Sequence, residues 1–379
     1  MFEAGWPAEE AERICERFER ELESMVAISS PSGDIEGAEQ LCKLVAAMLP
    51  AHAQVERPPC STPDHAPDLL ATIAGSGSGR LLLLGHLDTV VAHADHRPLE
   101  RNGERLAGSG SIDMKGGVVL ALGVLRALAE APQEFAEVSL LTVVDEEWRV
   151  GGFAHGPRFA AYDACLCFEA GQLGPDRVES VVAKRKAAAT VKVVASGVAA
   201  HSGSSPEKGR NALLALADVA RRVAAVSDPS GNQHLTAVPT VLASGDAFNV
   251  VPAAGELVCD LRADQLAHFE SVLEAIPAEI DGVALEAALV RRWPGMDSRS
   301  IVGERLQAPA EELLGRPLHA GARGGASDAS HIAQHIELTL DGLGPRGGHA
   351  HHPDEFVLTE SVRPRAEIAL ALAAASLAL

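Results

Sequence analysis

The sequence predicts an α/β layered domain with a largely parallel sheet, interrupted by a small α+β domain. Three observations predict this. Strand-length apolar runs alternate with a helix-length segment between residues 81 and 168. Near Ala187 the texture changes to an alternating strand followed by a Gly/Ser-rich loop. Beyond about Arg292 the chain returns to Gly-rich loops carrying Asp328, His349, His351 and His352. A chain of 379 residues suits two domains better than a single core. The reading places the first at residues 1–186 and 293–379 and the second at 187–292.

The N-terminal segment alternates acids and bases around a sparse apolar stripe, which reads as an amphipathic first helix and not as a secretion signal. Residues 81–84 read as a strand, 117–128 as a helix, and 138–144 and 164–168 as further strands. This β-α-β alternation is the signature of a parallel sheet. GSGSG at 75–79 reads as a surface turn. In the insertion, residues 189–194 alternate as a half-buried strand. A helix follows at 211–226, strands at 240–243 and 256–261, and a helix at 263–275, a β-α-β-β-α set.

Asp and Glu outnumber Lys and Arg by 52 to 32, so the surface field repels phosphate backbones and anionic lipid. Nucleic acid and membrane are excluded as partners on this ground and on the lack of a bilayer-length apolar run, since Gly85 and His86 cut residues 81–84 short. The six cysteines (Cys15, Cys42, Cys60, Cys165, Cys167, Cys259) are scattered, with no disulfide ladder, which makes a cytoplasmic location the default. Cys165 and Cys167 form a C-x-C in an apolar run; packing is the simpler reading, and a soft-metal site needs more thiolates.

Polar residues fall where the apolar runs end. His86 and Asp88 follow one run, Asp145, Glu146 and Glu147 a second, and Glu169 a third, so three strand ends direct acid and imidazole to the edge where such sheets bind ligands. His86 can ligate zinc while Asp88 orients its ring, or it can serve as a hydrogen-bonded core histidine. Asp113 in GSGSIDMKGG can bridge two cations or cap a helix. Three adjacent carboxylates at 145–147 repel one another unless something positive sits among them, and a metal is the simplest answer; a solvated acidic turn is the alternative. Glu169 ends a buried run, where an acid is costly unless paired or coordinated. The segment HAHHPDEF adds His349, His351 and His352. Oxygen and nitrogen ligands without an assigned thiolate suit a hydrolytic zinc site open to water.

Taken together and in order, GHLDTV, HRPLERNGERLAGSGSIDMKGG, VVDEEW, FEAG, GVAAHSGSSPEKGRNAL, FNVVP, CDLR, GASDAS and GHAHHPDE resemble the two-zinc metallopeptidase family of aminoacylase, succinyl-diaminopimelate desuccinylase and glutamate carboxypeptidase. The resemblance covers nearly the whole chain and looks nearest to bacterial glutamate carboxypeptidases. It implies a zinc-peptidase-like three-layer catalytic domain with an inserted ferredoxin-like lid and dimerisation domain. It also implies two Zn2+ ions, with Co2+ or Mn2+ as substitutes: His86 and Glu169 would hold one, Glu147 and His351 the other, and Asp113 both. His349 and His352 stand as alternatives to His351. Asp88 would orient His86, and Glu146 would be the general base. The bond after Asp113 would be cis. His201 would reach the partner subunit's site in a homodimer, and Asn249 and Arg262 would hold the substrate's terminal carboxylate; a salt bridge to Asp260 or Asp264 is the other reading of Arg262.

The implied activity is cleavage of the amide bond of a C-terminal amino acid in a peptide or N-acyl amino acid. The alternatives are a deacylase of small metabolites such as acetylornithine or succinyl-diamino acids, or a non-catalytic binding protein on the same fold. The sequence departs from some glutamate-specific members in carrying Trp293 before Pro294 where they have a basic residue. This leaves Arg177 as a candidate reader of an acidic side chain, and Trp293 as a platform for an apolar one.

Overall fold

A computed structural model describes residues 2–379. The chain divides into two compact units. The first runs to Lys184 and resumes over Asp297–Arg323 and Ser327–Leu379; the second spans Arg185–Met296 with Gly324–Ala326.

In the first unit, six strands form one sheet in the order Gln54–Glu56, Leu69–Ala74, Glu137–Val143, Arg80–His86, Ala164–Cys167, Thr339–Leu340. Arg80–His86 pairs in parallel with both its neighbours, and Thr339–Leu340 is parallel to Ala164–Cys167. The two strands at the other edge are antiparallel. The central strands are buried on both faces, which is why they read as unbroken apolar runs. The helix Gly116–Ala129 packs on Arg80–His86 and is itself covered by Trp6–Val26 and the C-terminal helix Thr359–Leu377. Its composition, GGVVLALGVLRALA, is apolar almost all round because nearly all of it is buried. Trp6–Val26, by contrast, buries only a stripe of Ala11, Ile14, Phe18, Leu22 and Met25.

Register sets the working edge. His86 lies opposite Val143, and Leu84 opposite Cys167, so residues 145–147 and Glu169 emerge beside His86 at the strands' carboxyl ends. Gly117 lets the helix start close over this edge: a Cβ there would stand 1.9 Å from the Phe168 carbonyl oxygen. A separate antiparallel sheet pairs Phe356–Leu358 with Arg105–Ala107, flanked by Gly347–Gly348 and Glu100–Asn102. It draws the histidine loop at 349–352 to the turn that carries Asp113.

The second unit is a five-stranded antiparallel sheet in the order Thr236–Ser244, Ala254–Ala263, Ala187–Ser196, Val283–Trp293, Glu279–Ile280. The helix Ala212–Val226 packs on it, N-capped by Asn211, whose side chain accepts the Leu214 amide. With the short helix Glu270–Glu274, this is the split β-α-β arrangement of a ferredoxin-like domain. Val191, Val193, Leu216, Val219, Leu257 and Leu261 form its core.

Two expectations for this unit need correction. The helix expected at 263–275 shrinks to Glu270–Glu274 after a 3-10 turn, because the preceding strand runs on to Ala263, which pairs with Ala187. Residues Val283–Trp293, assigned no element from the sequence, form the longest strand of the sheet. Their Ala, Leu, Glu and Arg content favours helix, and pairing along Ala187–Ser196 overrides that preference.

Candidate metal centre

The sheet's carboxyl edge gathers two triads of ligand-type groups that share one residue. His86, Asp113 and Glu169 form one, and Asp113, Glu147 and His351 the other; within each, the ligand atoms lie within 4.8 Å of one another. His86 Nε2 is 3.1 Å from Asp113 Oδ1 and 3.8 Å from Glu169 Oε1. His351 Nε2 is 3.1 Å from Asp113 Oδ2 and 3.2 Å from Glu147 Oε2. Asp113 thus turns one oxygen to each imidazole. It lies in the tight turn after Gly110, which has φ 72°, and the Asp113–Met114 bond is cis. Of the three histidines in the loop, only His351 joins the cluster. His352 Nδ1 accepts the Asp354 amide, and His349 packs edge-on to Phe356.

The donor set suits a cation. Glu147 Oε1 is buried with no hydrogen-bond partner, an orphan that a metal would satisfy. The paired carboxylates of Asp113 and Glu147 push the His351 imidazole up to about 11, so the site draws positive charge to the position between these groups. Burial opposes ionisation of Asp113, yet the imidazoles of His351 and His86 hold its carboxyl well below the usual range. Nitrogen and oxygen donors without thiolate suit zinc with an open position. The residues fit a divalent metal ion.

Glu146, 9% exposed, stands beside them. Burial raises its carboxyl well above the ordinary range, and the charges of Asp328, Glu169 and Glu147 add to this against the opposing pull of His86. A carboxyl so raised has a higher proton affinity than a free one.

Asp88 does more than orient His86. The His86 Nδ1 meets the Asp88 backbone carbonyl at 3.0 Å and its carboxylate at 3.4 Å, which marks Nδ1 as the protonated nitrogen and leaves Nε2 to the cluster. The Asp88 carboxylate also accepts the amides of Glu146 and Glu147, each at 3.1 Å, and the Ser32 hydroxyl. One acid therefore fixes both a candidate ligand and the turn that carries Glu146.

Something positive does sit among the carboxylates at 145–147, but for Asp145 it is a guanidinium and not a metal. That side chain turns away to the fully buried Arg149, with Nη2–Oδ1 at 2.6 Å and Nε–Oδ2 at 3.1 Å, and accepts the Thr62 hydroxyl at 2.6 Å. Arg149 also binds both oxygens of the buried Asp328. The i,i+4 spacing of Asp145 and Arg149 was the available signal; Asp328 had none. Arg149→Met is expected to destabilise the fold by about 3–5 kcal/mol, because it leaves two buried carboxylates uncompensated. Urea denaturation at neutral pH measures this.

Cys165 and Cys167 are buried in the sheet, and burial holds both thiols far above their ordinary values, so they pack as small hydrophobes. The cluster of Cys60, Asp68 and Asp145 is no match for a cation, since Arg149 pairs with Asp145 and His155 hydrogen-bonds Asp68 at 2.7 Å. Trp293 is 1% exposed, which removes it as a stacking platform for substrate. In the second unit, the exposed His201 accepts the Gly203 and Ser204 amides at Nδ1, at 3.1 and 3.2 Å, which leaves its proton on Nε2 as an outward donor. Asn249 lies exposed, its carbonyl accepting the Ser202 amide. Arg262 forms a two-point pair with Asp260 at 3.0 Å, the salt bridge anticipated as its other reading. Arg177, in the first unit, is exposed at the end of a 3-10 turn with φ 60°.

The profile of peptidase family M20/M25/M40 matches residues 82–375, which takes in every member of both triads. The chain belongs to this family. Among its relatives, carboxypeptidase G2 of Pseudomonas sp. is 25% identical over 358 residues, covering 88% of this chain and 82% of the relative. Succinyl-diaminopimelate desuccinylase of Dinoroseobacter shibae is 29% identical over 301 residues, covering 72% and 77%. The solved structure of aminopeptidase PepT from Bacillus cereus superposes with a TM-score of 0.74 at 21% identity, covering 96% of this chain and 99% of that one, a likeness of fold. As an M20/M25/M40 protein, the chain is a metal-dependent amide hydrolase.

Proposed function

We propose that this hydrolase cleaves the amide bond of a C-terminal amino acid in a peptide or N-acyl amino acid, using two zinc ions. The observation that carries the reading is the pair of ligand triads sharing Asp113, with the buried Glu146 beside them. His86 and Glu169 would hold one ion, Glu147 and His351 the other, and Asp113 both. When bound, the ions would supply Lewis acidity toward the scissile carbonyl and bring the pKa of water toward about 7. Glu146 would take the proton from the attacking water and return it to the departing amine nitrogen as the C–N bond breaks. Asp88 would hold the Glu146 turn in place through its two amide contacts. A panel of N-acyl amino acids and C-terminal dipeptides, assayed with metal analysis, tests the proposal; a metal-loaded protein inert toward all of them overturns it. The succinyl-diaminopimelate desuccinylase relative favours a second reading, deacylation of small acylated metabolites, and succinylated and acetylated diamino acids in the same panel separate the two.

The second unit is read as lid and dimerisation domain of a cytoplasmic homodimer. Its edge strand exposes Val238, Val241 and Leu242, and its helix exposes Leu213 and Leu214, apolar surface of the kind that pairs two copies. The six cysteines are free, as suits a reducing compartment. No described helix is long and apolar enough to cross a membrane. His201 would donate from Nε2 to the carbonyl oxygen in the partner's site, and Asn249 and Arg262 would meet the substrate carboxylate, with Asp260 orienting the guanidinium. Arg177 would read an acidic side chain. His201→Ala is expected to lower kcat by about 10²- to 10³-fold with metal content unchanged. Mixing it with a Glu146→Ala protein should recover activity, because one site of each mixed dimer would then be intact. No recovery would place His201 in its own subunit's site.

A further inference from the structure

We infer that Glu355 is the positioning residue that holds Asp113 and His351 together as ligands of one ion, an inference that rests on the metal reading above. Glu355 ends the histidine loop and is 1% exposed. Its carboxylate reaches across to the turn before the metal centre and accepts three backbone amides. Oε1 takes those of Ile112 at 2.7 Å and Asp113 at 2.8 Å, and Oε2 takes that of Gly110 at 3.0 Å. The main chain of Glu355 completes the connection: its carbonyl accepts the Gly108 amide at 3.0 Å, and its amide donates to the His352 carbonyl at 3.0 Å.

Such a connection is needed on one side of the site only. His86 is the last residue of a paired strand, Glu169 stands two residues beyond one with its carbonyl accepting the Gly344 amide, and Glu147 is held by Asp88, which accepts its amide. Asp113 and His351 are not so placed. Asp113 follows an irregular turn, and His351 lies on a loop with its side chain 54% exposed and its backbone at φ 66°, a region that favours glycine. A backbone in that region persists only where its surroundings over-determine it. Glu355 ties loop and turn to one buried carboxylate, so the 3.1 Å approach of His351 Nε2 to Asp113 Oδ2 follows from contacts outside the pair itself. Groups that orient ligands in this way control metal affinity.

The test is a stepwise Co2+ titration of metal-free protein, followed by the visible absorption of the bound ion, on wild type, Glu355→Gln, Glu355→Ala and His351→Ala. Gln keeps an acceptor for Ile112 and Asp113 but places an N–H against the Gly110 amide. It is nearly isosteric and carries the test if the Ala variant fails to fold. Glu355→Gln is expected to weaken the step that His351→Ala abolishes by about 10- to 100-fold, with an altered Co2+ spectrum at that step and a smaller loss at the other, which shares only Asp113. Its kcat should recover in excess Co2+ while KM stays at the wild-type value. Unchanged binding at both steps, or equal weakening of both, overturns the inference while the metal reading stands. A wild-type protein that takes up no Co2+ removes the metal reading and this inference with it.

Discussion

Replacing Glu146 with Ala is expected to lower kcat by about 10²- to 10⁴-fold, the range general-base catalysis supplies, while both metal positions stay filled. The reason lies in the division of labour along 145–147. Asp145 is committed to Arg149, Glu147 faces His351, and Glu146 remains as a buried carboxyl raised by its surroundings. Removing it takes away the proton acceptor and leaves every member of both triads in place, so both metal positions should stay filled. Metal content and steady-state kinetics on the same preparation check this. Retention of substantial activity would assign the base elsewhere, and loss of metal together with activity would make Glu146 a ligand.

Asp113→Ala is expected to abolish detectable hydrolysis by a different route, through the loss of both ions. No other residue belongs to both triads, and its two oxygens face both imidazoles at 3.1 Å. A removed ligand should cost more affinity than the about 10- to 100-fold typical of a group that only orients one. The readout independent of activity is the zinc-dependent shift in thermal midpoint. A ligand at about a thousand times its dissociation constant stabilises the native state by about 4 kcal/mol, and the variant should show almost none of that gain. A variant that keeps the full zinc-induced shift would show that Asp113 does not connect the two positions.

The first unit was legible because its information is local. Apolar runs bounded by polar residues mark where strands end, and in a parallel sheet those ends share one edge, so His86, Glu146, Glu147 and Glu169 could be named as neighbours before any contact was known. The second unit was less so. Val283–Trp293 is a strand only because Ala187–Ser196 pairs with it, a partner about a hundred residues earlier, against its own preference for helix. The motif position of Trp293 offers it to substrate, and only packing shows it buried.

The sequence by itself determined which chemistry the chain can carry: acids and an imidazole at three buried strand ends, a histidine-rich loop, and an acidic balance that repels phosphate backbones. The folded structure decided which of these groups meet. His351 was separated from His349 and His352 because one nitrogen of one ring reaches Asp113 and Glu147, and Asp145 was separated from Glu146 and Glu147 because a guanidinium claims it. Arg149 with Asp328, and Glu355 with the Asp113 turn, join residues 179 and 242 positions apart. Composition and spacing report what a segment can bury along its own length; a hydrogen bond between distant segments depends on how separate elements pack, which no local pattern encodes.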